Sequence, residues 1–301
     1  NAANPEAVEG NIFALISPHA GYGFSGGVAA FGYKLIKDKP YKTIIVIGPS
    51  HYYSFSGVSI YPEGAFRTPL GDLEIDKEFT QRLLYKDKDI IFEPAAFEND
   101  EHSVEVQLPF LQKVLSNGST TLTISTERSR SANPKIVPIV MGDCTLATCQ
   151  KLADLLKEAI GNRQDVLVVA STDMYHGYDY EESEIVDNLT LSYLKNMDAQ
   201  GLYNGLREGK LQLCGGFPVV STLILAKELG HNKLKVLQHT NSSEVTGKKI
   251  KGIWTVGYAS CLIDQEKGEI AMLSKEQRKK LLAIARNSIQ TYLKIGKKLE
   301  L

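Results

Sequence analysis

The sequence predicts an α/β fold: a three-layer α/β/α sandwich around a mixed, largely parallel central sheet. Three observations carry this expectation. Strand-like and helix-like runs alternate along the 301 residues, the pattern that folds into a sheet covered by helices on both faces. The run Val166–Ala170 is apolar throughout, as a parallel strand buried on two faces must be. Ile12–Ile16, Thr43–Ile47 and Val166–Ala170 each lead into a polar loop carrying a histidine or an acid–histidine pair. In open α/β sheets such loops converge on one crevice at the carboxyl ends of the strands, where ligands bind.

The elements follow in order. IFALI is a strand, and SGGVAAFGYKLI places small and apolar residues at helical spacing. TIIVI and GVSIY read as strands, the second by alternation of Val58 and Ile60 with small polar residues. IDKEFTQRLLYK is an amphipathic helix with Ile75, Phe79, Leu83 and Leu84 on one stripe. DEHSVEVQLPFLQKVL reads as a helix bent at Pro109, and IVPIV as a strand that Pro138 confines to an edge or a bulge. Ser116–Pro134 is polar and loop-like. LATCQKLADLLKEAIG is a helix ending at Gly161, followed by strand VLVVA and a helix over roughly 182–197. FPVVSTLILAKELG starts with proline and stops at Gly230, and KGIWTVGYASCLI is the last strand. These make one domain over residues 1–268. Residues 269–301 form a helical extension, with Ser274 and Gln277 as a capping box and an apolar stripe of Leu281, Leu282, Ala285, Ile289 and Leu293.

Composition narrows the function. Hydrophobic residues make up 43% and charged residues 23%, ordinary for a water-soluble domain. The net charge of −1, with acids and bases interspersed, lacks the basic footprint of a nucleic-acid binder. No apolar run approaches the ~20 residues that cross a bilayer, and NAANPEAVEG is not a secretory signal. The four cysteines form no CxxC pair, so a reduced, cytoplasmic protein is expected.

Of six histidines, three follow strands. His19 lies in SPHAGYGFSGG, among glycines that permit close backbone approach, and His51 lies in GPSHYY. The alternatives to a ligand or catalytic role are a helix cap or a satisfied core imidazole for His19. Asp173 and His176 are three apart; a helix starting there would put both on one face, the carboxylate orienting the ring. The competing role for Asp173 is a plain N-cap. His102 and Glu105 share the same spacing and suit proton transfer, although such pairs also decorate solvated helix ends. Cys214 precedes two glycines and a proline-started helix, a position that favours the thiolate, with a small buried hydrophobe as the alternative. Cys144, Cys149 and Cys261 read as structural, and His231 and His239 as outside the site. Two imidazoles and a thiolate suit Fe(II), Cu(I) or Zn(II), not Mg or Ca, and three protein ligands leave a coordination position open.

SPHAGYGFSG, VIGPSHYY, FRTPLGDLEID, ENDEHSVEVQLPFLQ, VPIVMGD, STDMYHGY and CGGFPV, in this order, resemble the Memo family. Its bacterial and archaeal members are called AmmeMemoRadiSam system protein B. The resemblance implies a LigB-like fold similar to class III extradiol dioxygenases, with His19, His51 and Cys214 as metal ligands and Asp173 and His176 beside them. A cysteine where those dioxygenases have a carboxylate departs from their pattern and widens the choice of metal. The family's usual AGSFYP-like opening is absent, which leads to the expectation of a missing upstream segment. The tail SKEQRKKLLAIARNSIQTYL resembles the start of the AMME-chromosomal-region domain, and the implied system partners are that domain and a radical SAM protein. The expected function is metal-dependent redox chemistry, dioxygenase-like, or metal handling. The alternatives are a peptide- or small-molecule-binding adaptor, with Tyr22, Tyr52, Tyr53, Tyr175 and Tyr178 lining the cleft, and a hydrolase using Cys214 as nucleophile.

Overall fold

A computed structural model describes residues 3–6, 8, 12–98, 100–115 and 134–265, together with helical residues 279, 280, 282, 283 and 286. The chain divides into two compact units, Asn1–Gln265 and Glu266–Leu301. In the second, Lys279, Lys280, Leu282, Ala283 and Arg286 are helical; the capping box and most of the apolar stripe lie outside the described residues. So does nearly all of the polar segment 116–134.

In the first unit the elements run β1 (Ala14–Ser17), α1 (Tyr22–Leu35), β2 (Thr43–Pro49), β3 (Val58–Ile60), β4 (Ala65–Thr68), β5 (Gly71–Glu74), α2 (Lys77–Leu83) and β6 (Ile90–Ile91). They continue as α3 (Leu108–Leu115), β7 (Lys135–Met141), α4 (Leu146–Ile160), β8 (Val166–Ser171), β9 (His176–Gly177), α5 (Tyr180–Lys195), α6 (Ala199–Arg207) and α7 (Gly216–Glu228). β10 (Lys233–Asn241), α8 (Ser242–Thr246) and β11 (Thr255–Asp264) complete the unit. The main sheet has the order β10-β11-β1-β8-β2-β7-β3-β6, with β9 on β11. β1, β8, β2 and β7 are mutually parallel; β11 runs antiparallel to β1, and β3 antiparallel to β7. The sandwich expected from the alternation is the fold observed.

The two-residue period of the strands builds two cores. Ile45, Ile47, Val137, Ile139, Val168 and Ala170 point to the face covered by α4 and α7. Ile44, Val46, Ile136, Val140, Leu167 and Val169 point to the face covered by α1 and α3. Each valine, leucine or isoleucine among them contributes about 1.5–3 kcal/mol on burial, so strands apolar on both faces belong at the sheet centre. Side-chain caps start α2 (Asp76), α4 (Thr145), α5 (Asp179), α6 (Asp198) and α8 (Asn241). α1 and α7 begin at Gly21 and Gly215 with no side-chain cap.

Two proline expectations need correction. Pro109 does not bend a long helix. The segment 105–107 is a 3-10 turn, and α3 begins at Leu108, so Pro109 lies in a first turn where its missing N–H costs nothing. Pro138 is neither at an edge nor at a bulge: β7 is an interior strand paired with β2 and β3. The pairing with β3 ends at Ile60–Ile139, and the Tyr61 N–H donates to the Pro138 carbonyl, so the sheet tolerates proline where its neighbour departs. The β4–β5 hairpin, α6 and α8 were not expected from the sequence. Among the described residues, no helix is long and apolar enough to cross a membrane.

Candidate metal centre

Adjacency of β1, β8 and β2 brings three loops together. Ser17 stands beside Ser171, and Ile47 beside Ala170, so the residues following these strands emerge side by side. Cys214 arrives from the opposite helical layer, just before α7. Gly215 makes that approach possible: a Cβ there would lie 2.7 Å from Thr172 Cβ, inside any allowed contact.

The donor atoms of His19, His51 and Cys214 all lie within 4.8 Å of one another. Cys214 Sγ is 3.2 Å from His19 Nε2. The His19 and His51 rings meet edge to face, with centroids 5.1 Å apart. A tetrahedral ion with bonds of ~2.0–2.3 Å sets its donors roughly 3.5 Å apart, so small side-chain movements suffice to close this triangle. The set therefore fits a transition metal.

Each donor is held from behind. The His19 ring, 2% exposed, contacts Ser171 Oγ through Nδ1 at 2.9 Å. Burial, then the charges of the His51 and His102 rings, hold its pKa well below the ordinary value, which keeps the imidazole neutral. His51 contacts Glu101 Oε1 through Nδ1 at 3.1 Å, and its backbone N–H donates to Glu101 Oε2 at 2.5 Å. Burial works to raise the Glu101 pKa, but these two contacts and the Ser103 N–H override it and bring the carboxyl down to about 2. Cys214 and Asp173 pair through their backbones: the Asp173 N–H donates to Sγ at 3.1 Å, and the Cys214 N–H donates to the Asp173 carbonyl at 3.2 Å.

A family profile described as Memo-like protein matches residues 2–262. The chain belongs to the Memo family. It is 35% identical over 254 residues to a MEMO1 family protein of Caldivirga maquilingensis, covering 83% of this chain and 82% of that one. A MEMO1 family protein of Methanobrevibacter smithii is 34% identical over 260 residues, with 85% of each chain covered. One from Sulfurisphaera tokodaii is 33% identical over 259 residues, covering 85% of this chain and 84% of that one.

In this Memo chain the other expected site residues take varied positions. His102 joins the cluster, its ring 6.1 Å from His19 and 5.8 Å from His51, with Nδ1 3.0 Å from the Asp100 carbonyl. Glu105 is exposed on the 3-10 turn beside Tyr22. Asp173 and His176 do not share a helix face, because residues 172–175 are non-helical and His176 opens β9. Nor does the carboxylate orient the ring. Asp173 Oδ1 accepts the backbone N–H groups of His19 and Ala20 at 2.9 and 3.4 Å, and His176 Nδ1 lies 2.8 Å from the Met174 carbonyl. The thiolate expectation for Cys214 also fails in the metal-free chain. Burial and then the Asp173 charge push its thiol up to about 12, outweighing the Asp173, Thr172 and Gly215 hydrogen bonds. Removal from water outweighs the short helix start, so a metal ion is what would draw off the proton. Cys144, Cys149 and Cys261 are free and buried. His231 stacks on Phe13, and His239 pairs with Asp187 at 3.0 Å.

Glu101 and Ser171 stand behind the two rings, with Gln107 behind Ser171, and sequence reasoning passed all three over. Glu101 stood among Glu98, Asp100 and Glu105 with nothing local to single it out. Ser171 ends an apolar strand and reads as its boundary.

Proposed function

We propose that this chain is a metal-dependent protein whose His19, His51 and Cys214 hold a redox-capable transition ion, serving dioxygenase-like redox chemistry or metal handling. The supporting observation is the convergence of two imidazole nitrogens and one sulfur within 4.8 Å at the carboxyl ends of the central strands. Soft sulfur with two imidazoles favours Fe(II) or Cu(I), with Zn(II) the redox-silent member of the set. When bound, such an ion supplies Lewis acidity and, for iron or copper, one-electron exchange.

The chain's own residues do the rest. Asp173 anchors the β1–α1 loop through the His19 and Ala20 N–H groups, fixing where the His19 ring enters. His102 and His176 each direct Nδ1 to a carbonyl, leaving Nε2 to accept or return a proton at the pocket. The high thiol pKa argues against Cys214 as a free nucleophile and so against hydrolysis. Partnership with a radical SAM protein and an AMME-chromosomal-region domain, and a cytoplasmic setting, belong to the same reading and rest on the resemblance of the motifs.

The test is metal analysis of protein purified without oxygen, with wild type and Cys214→Ala side by side. Close to one equivalent of iron, copper or zinc in wild type, lost in Cys214→Ala, is the expected result. Less than about a tenth of an equivalent after anaerobic reloading would remove the reading.

A further inference from the structure

We propose that Ser171 is a positioning residue that fixes the tautomer of His19, its own proton being committed elsewhere by Ser103 and Gln107. The functional weight of this device rests on the metal-centre reading above; the device itself does not.

The hydrogen-bond directions follow by elimination. Gln107 is fully buried between Pro18, Ser171 and Tyr33. The Pro18 carbonyl, 3.0 Å away, can only accept, so the near end of Gln107 is its NH2 group. The Tyr33 hydroxyl, 2.7 Å from Oε1, donates to the other end. The same NH2 group reaches Ser171 Oγ at 2.7 Å and donates to it. Ser171 in turn lies 2.6 Å from the Ser103 carbonyl, again acceptor-only, and its single hydroxyl proton goes there. Ser171 Oγ then has nothing left to give His19. The 2.9 Å contact to His19 Nδ1 is a hydrogen bond only if Nδ1 carries the proton. A neutral imidazole has one N–H, so Nε2 keeps its lone pair, and Nε2 is the atom 3.2 Å from Cys214 Sγ.

The neutral histidine side chain in water favours the opposite tautomer, with the proton on Nε2. The protein reverses this preference with neutral groups alone, in a place where His19 is 2% exposed. It does so from the segment that also serves His51: Glu101 accepts from the His51 ring, Ser103 accepts from Ser171, and Gln107 donates to it. Seven consecutive positions, 101–107, thus prepare both nitrogen donors before any ion arrives.

The experiment is a long-range 15N–1H correlation spectrum of metal-free, histidine-labelled protein, recorded for wild type, Ser171→Ala and Ser171→Thr, together with Co(II) titration of each. His19 should carry its proton on Nδ1 in wild type and in Ser171→Thr, which keeps the hydroxyl. Ser171→Ala should move the proton partly or wholly to Nε2 and weaken Co(II) binding by roughly 10–100-fold. A wild-type His19 protonated on Nε2 overturns the proposal, as does a tautomer unchanged in Ser171→Ala. If Ser171→Ala does not fold, the wild-type spectrum still decides. Wild type with the Nδ1 proton but no Co(II) binding would remove the metal-centre reading and leave the tautomer assignment standing.

Discussion

The loops after β1 and β2 deliver the same chemical group by opposite means. His19 is sealed in the interior; a neutral serine hydroxyl stands behind its ring, and the Asp173 carboxyl accepts its backbone N–H. His51 stands at the mouth, its side chain 28% exposed, and is held by a nearly buried carboxylate, Glu101, that remains ionised far into acid. Hydrogen bonding explains the difference. Facing the His19 ring with a further ionised group would be expensive in a dry site, whereas the His51 ring, the His51 N–H and the Ser103 N–H offset the cost of the Glu101 charge. A carboxylate behind an imidazole raises the donor strength of the ring, and a hydroxyl does so less. The two nitrogen donors should therefore be unequal, with the stronger at the accessible side.

Measurements on both loops test this contrast. The largest effect is shared: His19→Ala and His51→Ala should each weaken Co(II) or Zn(II) binding at least ~100-fold, because two ligands rarely hold such an ion. Retention of near-native affinity by either variant excludes that ring. The halves should then separate in urea denaturation of metal-free protein. His19→Ala empties the space of a residue that is 2% exposed and should cost about 1–3 kcal/mol, while His51→Ala should cost no more than about 1 kcal/mol. Equal losses would mean that the mouth is as structural as the interior. Glu101→Gln keeps the shape but not the charge, and should reduce metal affinity about tenfold with little change in fold. An unchanged affinity would show that the carboxylate orients without strengthening the donor.

The smallest effect is a pH signature. The folded pKa of Glu101, about 2, lies below its ordinary 4.5, so its contribution to stability is complete above about 4.5 and disappears as pH falls toward 2. Denaturation between these values should reveal an acid-dependent loss in metal-free wild type that Glu101→Gln lacks.

What the sequence revealed follows from what is local. VLVVA and TIIVI announce central strands because a strand buried on two faces has no polar side to display. His19, His51 and Cys214 were legible because each follows a strand or precedes a helix at a glycine-marked turn. Ser171 and Gln107 were not, since their roles exist only once β8, the 105–107 turn and the β1 exit share a space of a few ångströms. The acid–histidine spacings misled for the same reason. A three-residue interval implies a shared face only on a helix, and residues 173–175 are not helical. Choosing Glu105 over Glu101 reflects that assumption too, because counting along a helix selects the exposed member. Proline misled twice, at Pro109 and Pro138, because its effect depends on which hydrogen bond the position would otherwise have made.

Ser103 sits between the two halves: its N–H donates to Glu101, its hydroxyl to the Pro49 carbonyl, and its carbonyl takes the Ser171 proton. It packs directly on Gly48, where an added Cβ would lie 2.8 Å from the serine's own. One methyl group at residue 48, on a side chain that touches no donor, would lever both imidazoles out of alignment together. Anyone retuning this centre by engineering would find that its adjusting screw lies in the sheet and not among the ligands.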